Sequence, residues 1–123
     1  MSDSIELVRR FCAQWEQGDI DALLAYFTED AIYHNIPIEP VVGIDGIRTT
    51  IEMFTSAVER VEFHLLHIAA EGDTVLTERV DVFVLPAKII ELPVMGTFDV
   101  RDGKIAAWRD YFDLNQYMQQ LPR

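Results

Sequence analysis

The sequence predicts an α+β fold over residues 1–123, a single domain in which N-terminal helices cover one face of a strongly curved, mixed or antiparallel sheet. Apolar residues recur at steps of three and four through much of residues 4–58, which is the period of a helix packed on a core. Residues 61–114 mostly alternate apolar and polar side chains, as half-buried strands do. Helices followed by a run of antiparallel strands are typical of the α+β class, and a half-barrel of this kind encloses a pocket.

The first helix is predicted over residues 4–17 and ends at Gly18, because glycine is common just after a helix. Its apolar stripe consists of Ile5, Val8, Cys12 and Trp15. Cys12 is the only cysteine of the chain, so neither an internal disulfide nor a thiolate zinc cluster can form. We interpret Cys12 as a core residue.

Two further helices are predicted in the first half of the chain. The second has Asp19 as its N-cap and ends at the polar cluster of residues 28–30. Its buried positions are Ile20, Leu23, Leu24 and Phe27. The third begins after Gly43 with Asp45 as its predicted N-cap. Its apolar stripe consists of Ile47, Ile51, Phe54 and Val58.

Between these helices, residues 31–36 change to a period of two, which predicts a strand that Pro37 ends. One face of this strand carries Ala31, Tyr33 and Asn35, and the other carries Ile32, His34 and Ile36. Tyr33 and Asn35 therefore lie on one face. Their hydrogen-bonding groups have no evident structural task.

Four longer strands complete the predicted sheet, over residues 61–70, 74–85, 89–100 and 104–114. The first two pair as a hairpin about Gly72, and the last two pair about the tight reversal at Asp102-Gly103. Gly96 is predicted to mark a bulge or bend. Asp113 is the expected cap of a last short helix, whose apolar positions are Leu114, Tyr117, Met118 and Leu121.

The last strand places a carboxylate on an otherwise apolar face. Side chains two apart share a face of a strand, so Asp110 lies between Trp108 and Phe112. An isolated charge is costly to remove from water, so the Asp110 carboxylate must be paired, hydrogen-bonded or protonated.

A candidate partner lies on the strand over residues 74–85, where Thr77, Arg79, Asp81 and Phe83 share a face. The simplest packing places Arg79 between Asp81 and Asp110. Such a group has one net negative charge when both acids are ionised, and burial favours an extra proton on one of them. Buried Arg–Asp pairs also occur as purely structural elements, and spacing alone leaves both interpretations open.

Three segments resemble the limonene-1,2-epoxide hydrolase family, in matching order and across nearly the whole chain. They are Tyr33-His34-Asn35, Glu78-Arg79-Val80-Asp81-Val82 and Trp108-Arg109-Asp110-Tyr111-Phe112-Asp113-Leu114. The resemblance implies a cone-shaped fold, shared with nuclear transport factor 2, steroid isomerases and polyketide cyclases, which is usually dimeric and holds the active site deep in the cone. It also implies a catalytic group made of Asp110, Arg79, Asp81, Tyr33 and Asn35.

Opening an epoxide with water needs a base for the water and an acid for the leaving oxygen. We expect ionised Asp110 to take a proton from a water molecule that Tyr33 and Asn35 hold. Protonated Asp81 is expected to donate to the epoxide oxygen, with Arg79 bridging the two acids. Asp113 is a rival carboxylate, but its odd parity puts it off the Asp110 face and suits it to the cap.

We expect neither a cofactor nor a metal. His34, His64 and His67 share neither a strand parity nor a ligand spacing. The substrate is expected to contact apolar residues on the inward faces, namely Met53, Phe83, Leu92, Val94, Trp108 and Phe112. Such a lining suits a small apolar epoxide, cyclic or terpene-like, rather than a charged metabolite.

The charge of the chain excludes several kinds of partner. Its formal net charge is -11, from 21 acidic and 10 basic residues, which repels nucleic acid and anionic lipid. The start of the chain lacks the pattern of a secretion signal, and no apolar run is long enough to span a bilayer, which predicts a soluble, cytoplasmic protein. A homodimer is expected from the family resemblance alone.

The sequence leaves two other functions open. One is an isomerase, cyclase or dehydratase on the same fold, in which one carboxylate moves a proton on a ring. The other is a module that binds a hydrophobic ligand or a protein, with the ion pairs serving only as buried structure.

Overall fold

The computed structural model describes residues 3–122, in which helices come mainly before a six-stranded sheet. The helices are α1 (Asp3–Gln14), α2 (Ile20–Leu24), α3 (Ile44–Thr55) and α4 (Leu114–Gln120), and a 3-10 helix covers Trp15–Gln17. The strands are β1 (Phe27–Asn35), β2 (Val41–Val42), β3 (Arg60–Glu71), β4 (Thr74–Val84), β5 (Ile89–Arg101) and β6 (Lys104–Tyr111). They lie in the order β2-β1-β6-β5-β4-β3, with β1 parallel to β6 and all other neighbours antiparallel.

The first two helices form where the apolar period predicts them. The chain leaves the 3-10 helix at Gly18, whose φ of 66° lies in the left-handed region that glycine adopts without strain. Asp19 caps α2 as predicted, because its Oδ1 accepts a hydrogen bond from the backbone N–H of Ala22 at 3.1 Å. The predicted end of this helix is wrong, since residues 28–30 belong to β1, which starts at Phe27 and pairs it with Ile105 of β6.

The third helix begins differently from the prediction. Gly43 occupies the N-cap position, and Asp45 lies in the first turn, where its charge still favours the positive end of the helix dipole. Residues 41–42 pair with Ile32 and Tyr33 of β1, which makes a short edge strand that two residues are too few to reveal by periodicity.

The four longer strands, β3 to β6, follow the predicted ranges closely, with two corrections. Gly96 does not mark a bulge, because β4 and β5 stay in register through it, and the irregularity in β5 lies between Asp99 and Val100. The last strand ends at Tyr111, after which Asp113 caps α4 by accepting a hydrogen bond from the Gln116 N–H at 3.1 Å.

The helices and the sheet enclose an aromatic core centred on Phe11 of α1 and Trp108 of β6. Both side chains are fully buried, and their rings meet edge to face with centroids 5.1 Å apart. The inward side chains of β4 and β5 alternate with exposed ones, so one face of the sheet carries the core. This face also carries the polar residues that the sequence analysis selected.

Within residues 3–122, no helix has the length and apolar character needed to span a lipid bilayer.

Candidate active site

Arg79 joins two buried carboxylates on the face of the sheet that carries the core. Its side chain has no exposed surface, and its Nε and Nη2 donate to the two oxygens of Asp81, each at 2.9 Å. Its Nη2 and Nη1 donate to the two oxygens of Asp110 at 2.8 and 3.2 Å. The guanidinium therefore binds both carboxylates through paired hydrogen bonds, the geometry in which arginine binds acids most strongly. Strand parity predicts this arrangement.

The strand order explains why Arg79 can reach Asp110. The two residues lie on β4 and β6, which are separated by β5, so the side chain must cross the middle strand. The residue of β5 opposite Asp110 is Gly96, which also lies opposite Thr77. A Cβ atom at Gly96 would lie 2.7 Å from Asp110 Oδ1 and would overlap Arg79 Nη1. The missing side chain of Gly96 is the space through which the guanidinium passes.

Three neighbours fix this cluster further. The Nε1–H of Trp108 donates to Asp110 Oδ1 at 2.6 Å, and Arg79 Nη1 donates to the Thr77 hydroxyl at 3.2 Å. The Arg79 guanidinium also lies over the Phe63 ring, 4.6 Å from its centroid. Each carboxylate is thus held by neighbouring side chains before any substrate binds.

Burial and charge set the protonation of the cluster. Burial raises the pKa of the Asp81 carboxyl from 3.8 to about 6, even though the Arg79 charge lowers it, and the negative charge of Asp110 adds to the rise. Burial alone would lower the pKa of Arg79, but the charges of Asp110 and Asp81 hold it well above the ordinary range. Arg79 therefore stays a cation, and Asp81 gains or loses its proton near neutral pH.

Tyr33 and Asn35 come to this cluster through the parallel pairing of β1 with β6. Tyr33 lies opposite Trp108 and Asn35 lies opposite Asp110, and both side chains are buried. The Tyr33 ring stacks on the Trp108 indole with centroids 4.2 Å apart. Burial and the Asp110 charge raise the pKa of Tyr33 above its ordinary value, while its hydrogen bond with Asn35 lowers it. The phenol is therefore neutral and can donate a hydrogen bond.

These residues open onto a cavity of about 320 Å³ with a mainly apolar lining. Asp81, Asp110, Tyr33 and Asn35 all lie in its wall, whereas Arg79 lies behind it. Of the predicted apolar contacts, Met53, Phe83, Val94 and Phe112 line the cavity. The volume suits a small organic molecule.

Leu92 and Trp108 do not line this cavity, which corrects their predicted placement. Leu92 is buried beside the part of β5 on which α4 rests, where Gln120 hydrogen-bonds to both backbone groups of Glu91. Trp108 is buried between the rings of Tyr33 and Phe98, which stack on it. Strand parity gives the face on which a side chain lies but not its depth, so it cannot separate a wall residue from one behind the wall.

Sequence reasoning missed seven residues of the cavity wall: Trp15, Ile38, Phe54, Phe63, Leu114, Tyr117 and Met118. Three of them belong to α4, a seven-residue helix with no buried residue of its own. The sequence does contain a signal for α4, because an amphipathic helix follows the last strand. The apolar side of such a helix needs a surface to cover, which could have placed α4 over the cavity.

The histidines do not form part of the site. His34 hydrogen-bonds to the Ile38 carbonyl, and His64 and His67 contact surface glutamates. In the part of the chain that the structure describes, no three His, Cys, Asp or Glu side chains come together as a metal site would require.

The pKa of Asp81 predicts how this group contributes to stability. Because its pKa in the folded protein, about 6, lies above the ordinary 3.8, the folded state binds the proton more tightly. The contribution of the protonated Asp81 carboxyl to the free energy of unfolding is fully present below about pH 4 and is lost as the pH rises through about 6. Between pH 7.5 and pH 5, wild type should therefore gain about 1 kcal/mol in free energy of unfolding relative to Asp81→Asn.

Urea unfolding of both proteins at the two pH values measures this difference. Asp113→Asn is the control, since Asp113 is an exposed cap and asparagine caps equally well. A difference between wild type and Asp81→Asn that does not change with pH would contradict the assignment of a raised pKa to Asp81.

Known proteins resemble this chain over nearly its whole length. The family model described as the limonene-1,2-epoxide hydrolase catalytic domain matches residues 2–123. The chain is 34% identical over 118 residues to the epoxide hydrolase EphG of Mycobacterium tuberculosis, covering 94% of this chain and 77% of that protein.

Two solved structures share the fold of this chain. A limonene-epoxide-hydrolase-like enzyme of M. tuberculosis superposes with a TM-score of 0.83 at 30% identity, covering 95% of this chain and 87% of that one. An NTF2-like protein of unknown function from Burkholderia pseudomallei superposes with a TM-score of 0.88 at 14% identity over 100% of both chains, which shows the shared cone fold alone. The chain therefore belongs to the limonene-1,2-epoxide hydrolase family.

Proposed function

We propose that this protein adds water in one step to a small apolar epoxide, cyclic or terpene-like, to give a vicinal diol. The main support is that the Arg79 guanidinium binds both Asp81 and Asp110 through paired hydrogen bonds at the wall of an apolar cavity. An isomerase or cyclase that uses one carboxylate has no need for a second acid on the same guanidinium. Membership of an epoxide hydrolase family supports the reaction class.

In this proposal Asp110 is the general base. Both of its oxygens accept hydrogen bonds, from Arg79 and Trp108, which hold the carboxylate in place at the cavity wall. Tyr33 and Asn35 place a water molecule beside it, since both lie in the cavity wall and Asn35 is the strand neighbour of Asp110. Asp110 takes a proton from this water as its oxygen attacks an epoxide carbon.

Asp81 is the general acid. With a pKa of about 6, a fraction of the carboxyl groups holds a proton at neutral pH, and that proton passes to the epoxide oxygen as the C–O bond breaks. One turnover leaves a proton on Asp110 and none on Asp81, and exchange with solvent restores the starting state. Because side chains supply both the acid and the base, the proposed reaction uses no cofactor.

We also propose that the protein acts as a homodimer in the cytoplasm. The dimer is supported by the family resemblance and by apolar side chains that are about half exposed on the sheet face opposite the core. These are Leu66, Leu76 and Met95, with exposures of 54%, 47% and 50%. The cytoplasmic location is a prediction from the sequence.

A single turnover in oxygen-18 water tests the reaction and its mechanism together. Excess enzyme is mixed with limonene oxide or cyclohexene oxide, and the diol is analysed by mass spectrometry. We expect one oxygen-18 atom per diol in the first turnover, because water attacks directly. An unlabelled diol would mean that a carboxylate attacked first, and the absence of diol from several epoxides would contradict epoxide hydrolysis.

A further inference from the structure

A second cavity of about 280 Å³ adjoins the first one. The two share six wall residues: Tyr33, Asn35, Ile38, Met53, Phe54 and Tyr117. The shared wall includes both residues proposed to hold the water molecule. The two cavities therefore lie next to each other along Tyr33 and Asn35, beside the carboxylate of Asp110.

The second cavity differs from the first in its own wall residues, which are Glu39, Val41 and Thr50. Glu39 follows the end of β1, Val41 belongs to β2, and Thr50 lies on α3. Asp81, Asp110 and Glu39 are the only Asp, Glu, His, Lys or Arg residues among the described residues that line either cavity. The second cavity is thus largely apolar with a polar, anionic side.

The polar groups of this cavity accept hydrogen bonds. The Thr50 hydroxyl already donates its proton to the Gly46 carbonyl at 3.0 Å, so its oxygen is left to accept. An ionised Glu39 carboxylate can only accept. A ligand group that satisfies both must be a donor, and the negative charge of Glu39 disfavours an anion.

We propose that the second cavity is a substrate subsite for an arm attached to the epoxide-bearing ring, with an apolar stem and a hydroxyl or ammonium group at its end. This inference rests on the proposed function and narrows the substrate class. The ring with its epoxide occupies the first cavity against Asp81 and Asp110. The arm passes Tyr33 and Asn35, and its terminal donor reaches Thr50 and Glu39.

The test compares cyclohexene oxide with derivatives that carry a four-carbon arm ending in ammonium, hydroxyl or carboxylate. In wild type we expect kcat/KM to rise by at least tenfold on adding the hydroxyl or ammonium arm, because each buried methylene is worth roughly fourfold. The carboxylate arm should raise kcat/KM by less than the hydroxyl or the ammonium arm.

Two variants locate the effect in the second cavity. Thr50→Phe fills that cavity and should abolish the gain in kcat/KM from every arm. For cyclohexene oxide itself, which has no arm, kcat/KM should stay within about twofold of the wild-type value. Thr49→Phe is the matched control, because Thr49 lies beside Thr50 in α3 and its hydroxyl likewise donates to a backbone carbonyl, that of Asp45. Thr49 is exposed and lines neither cavity. Thr49→Phe should keep the gain.

Glu39→Gln tests the charge. It should lower the ratio of kcat/KM for the ammonium arm to kcat/KM for the carboxylate arm by about twofold to fivefold, the range expected of an exposed ion pair. Glu52→Gln, at an exposed acid of α3 outside both cavities, controls for the overall negative charge and should leave the preference unchanged.

Dissociation constants of the corresponding diols, measured by calorimetry, test the subsite independently of turnover. An arm that adds no affinity in wild type, or a gain that survives Thr50→Phe, would overturn the subsite whether or not the epoxides are hydrolysed. Hydrolysis of cyclohexene oxide without any effect of the arms would overturn the subsite alone, and arm-dependent diol binding without hydrolysis would overturn the proposed function alone.

Discussion

Asp110→Asn should lower epoxide turnover by about a hundredfold to ten-thousandfold, which is the contribution of a well-placed general base. Asparagine has nearly the same shape as aspartate but cannot take a proton from the attacking water. Its carbonyl oxygen can still accept the hydrogen bond that Trp108 Nε1 donates to Asp110 in wild type. The variant therefore removes the base, and it also replaces Oδ2, which accepts from Arg79 Nη2 in wild type, by an amide NH2 that cannot accept.

The variant should also fold. Removing one partner of a buried ion pair costs about 3–5 kcal/mol when it leaves an unpaired charge. Arg79 keeps the carboxylate of Asp81, to which it donates two hydrogen bonds of 2.9 Å, so its charge stays paired. A melting curve and a near-ultraviolet circular dichroism spectrum verify the fold before activity is compared.

Asp113→Asn is the matched control for this experiment. Asp113 lies three residues from Asp110 but outside β6, and its carboxylate caps α4. We expect it to keep wild-type turnover. A folded Asp110→Asn protein with substantial activity, or an inactive Asp113→Asn protein, would show that the base has been misassigned.

The polar cluster could be predicted because each of its strands has a regular period of two. Parity alone puts Arg79 and Asp81 on one face, and it puts Asp110 among apolar neighbours that force it to find a partner. The family resemblance adds Tyr33 and Asn35. Burial of all five side chains agrees with these predictions.

What could not be predicted depends on neighbours that are distant in sequence. The period of β1 gives its two faces but not its partner, so the parallel pairing that places Asn35 opposite Asp110 is visible only in the structure. Trp108 illustrates the same limit. Its parity is that of a cavity residue, but its ring lies behind the wall and its Nε1–H holds Asp110 instead.

Gly96 is the clearest such case, because nothing in its own strand shows what it does. A glycine within a strand suggests a bulge, yet β5 is regular here on the β4 side. The reason for glycine lies on the two neighbouring strands, where Arg79 and Asp110 meet across it. Its role is to leave space for a contact between two other residues.

Gly96→Ala should therefore lower kcat by at least about tenfold without removing any functional group. The added methyl group would lie 2.7 Å from Asp110 Oδ1 and 2.9 Å from Thr77 Oγ1, and would overlap Arg79 Nη1, so the guanidinium or the carboxylate must move. A misplacement of about 1 Å can cost a hundredfold in rate. Overpacking should also lower the free energy of unfolding by about 1–3 kcal/mol.

Gly46→Ala is the matched control, because its added methyl group would meet only the Cβ of Val41 at an ordinary 3.5 Å, and alanine favours a helix. A purely structural defect in Gly96→Ala would lower the fraction of folded enzyme and leave kcat per folded molecule unchanged. Displacement of the Arg79 guanidinium instead lowers kcat per folded molecule, while KM changes little because the apolar wall is intact. Wild-type kcat in folded Gly96→Ala would mean that the reaction does not depend on how Arg79 and Asp110 are held together.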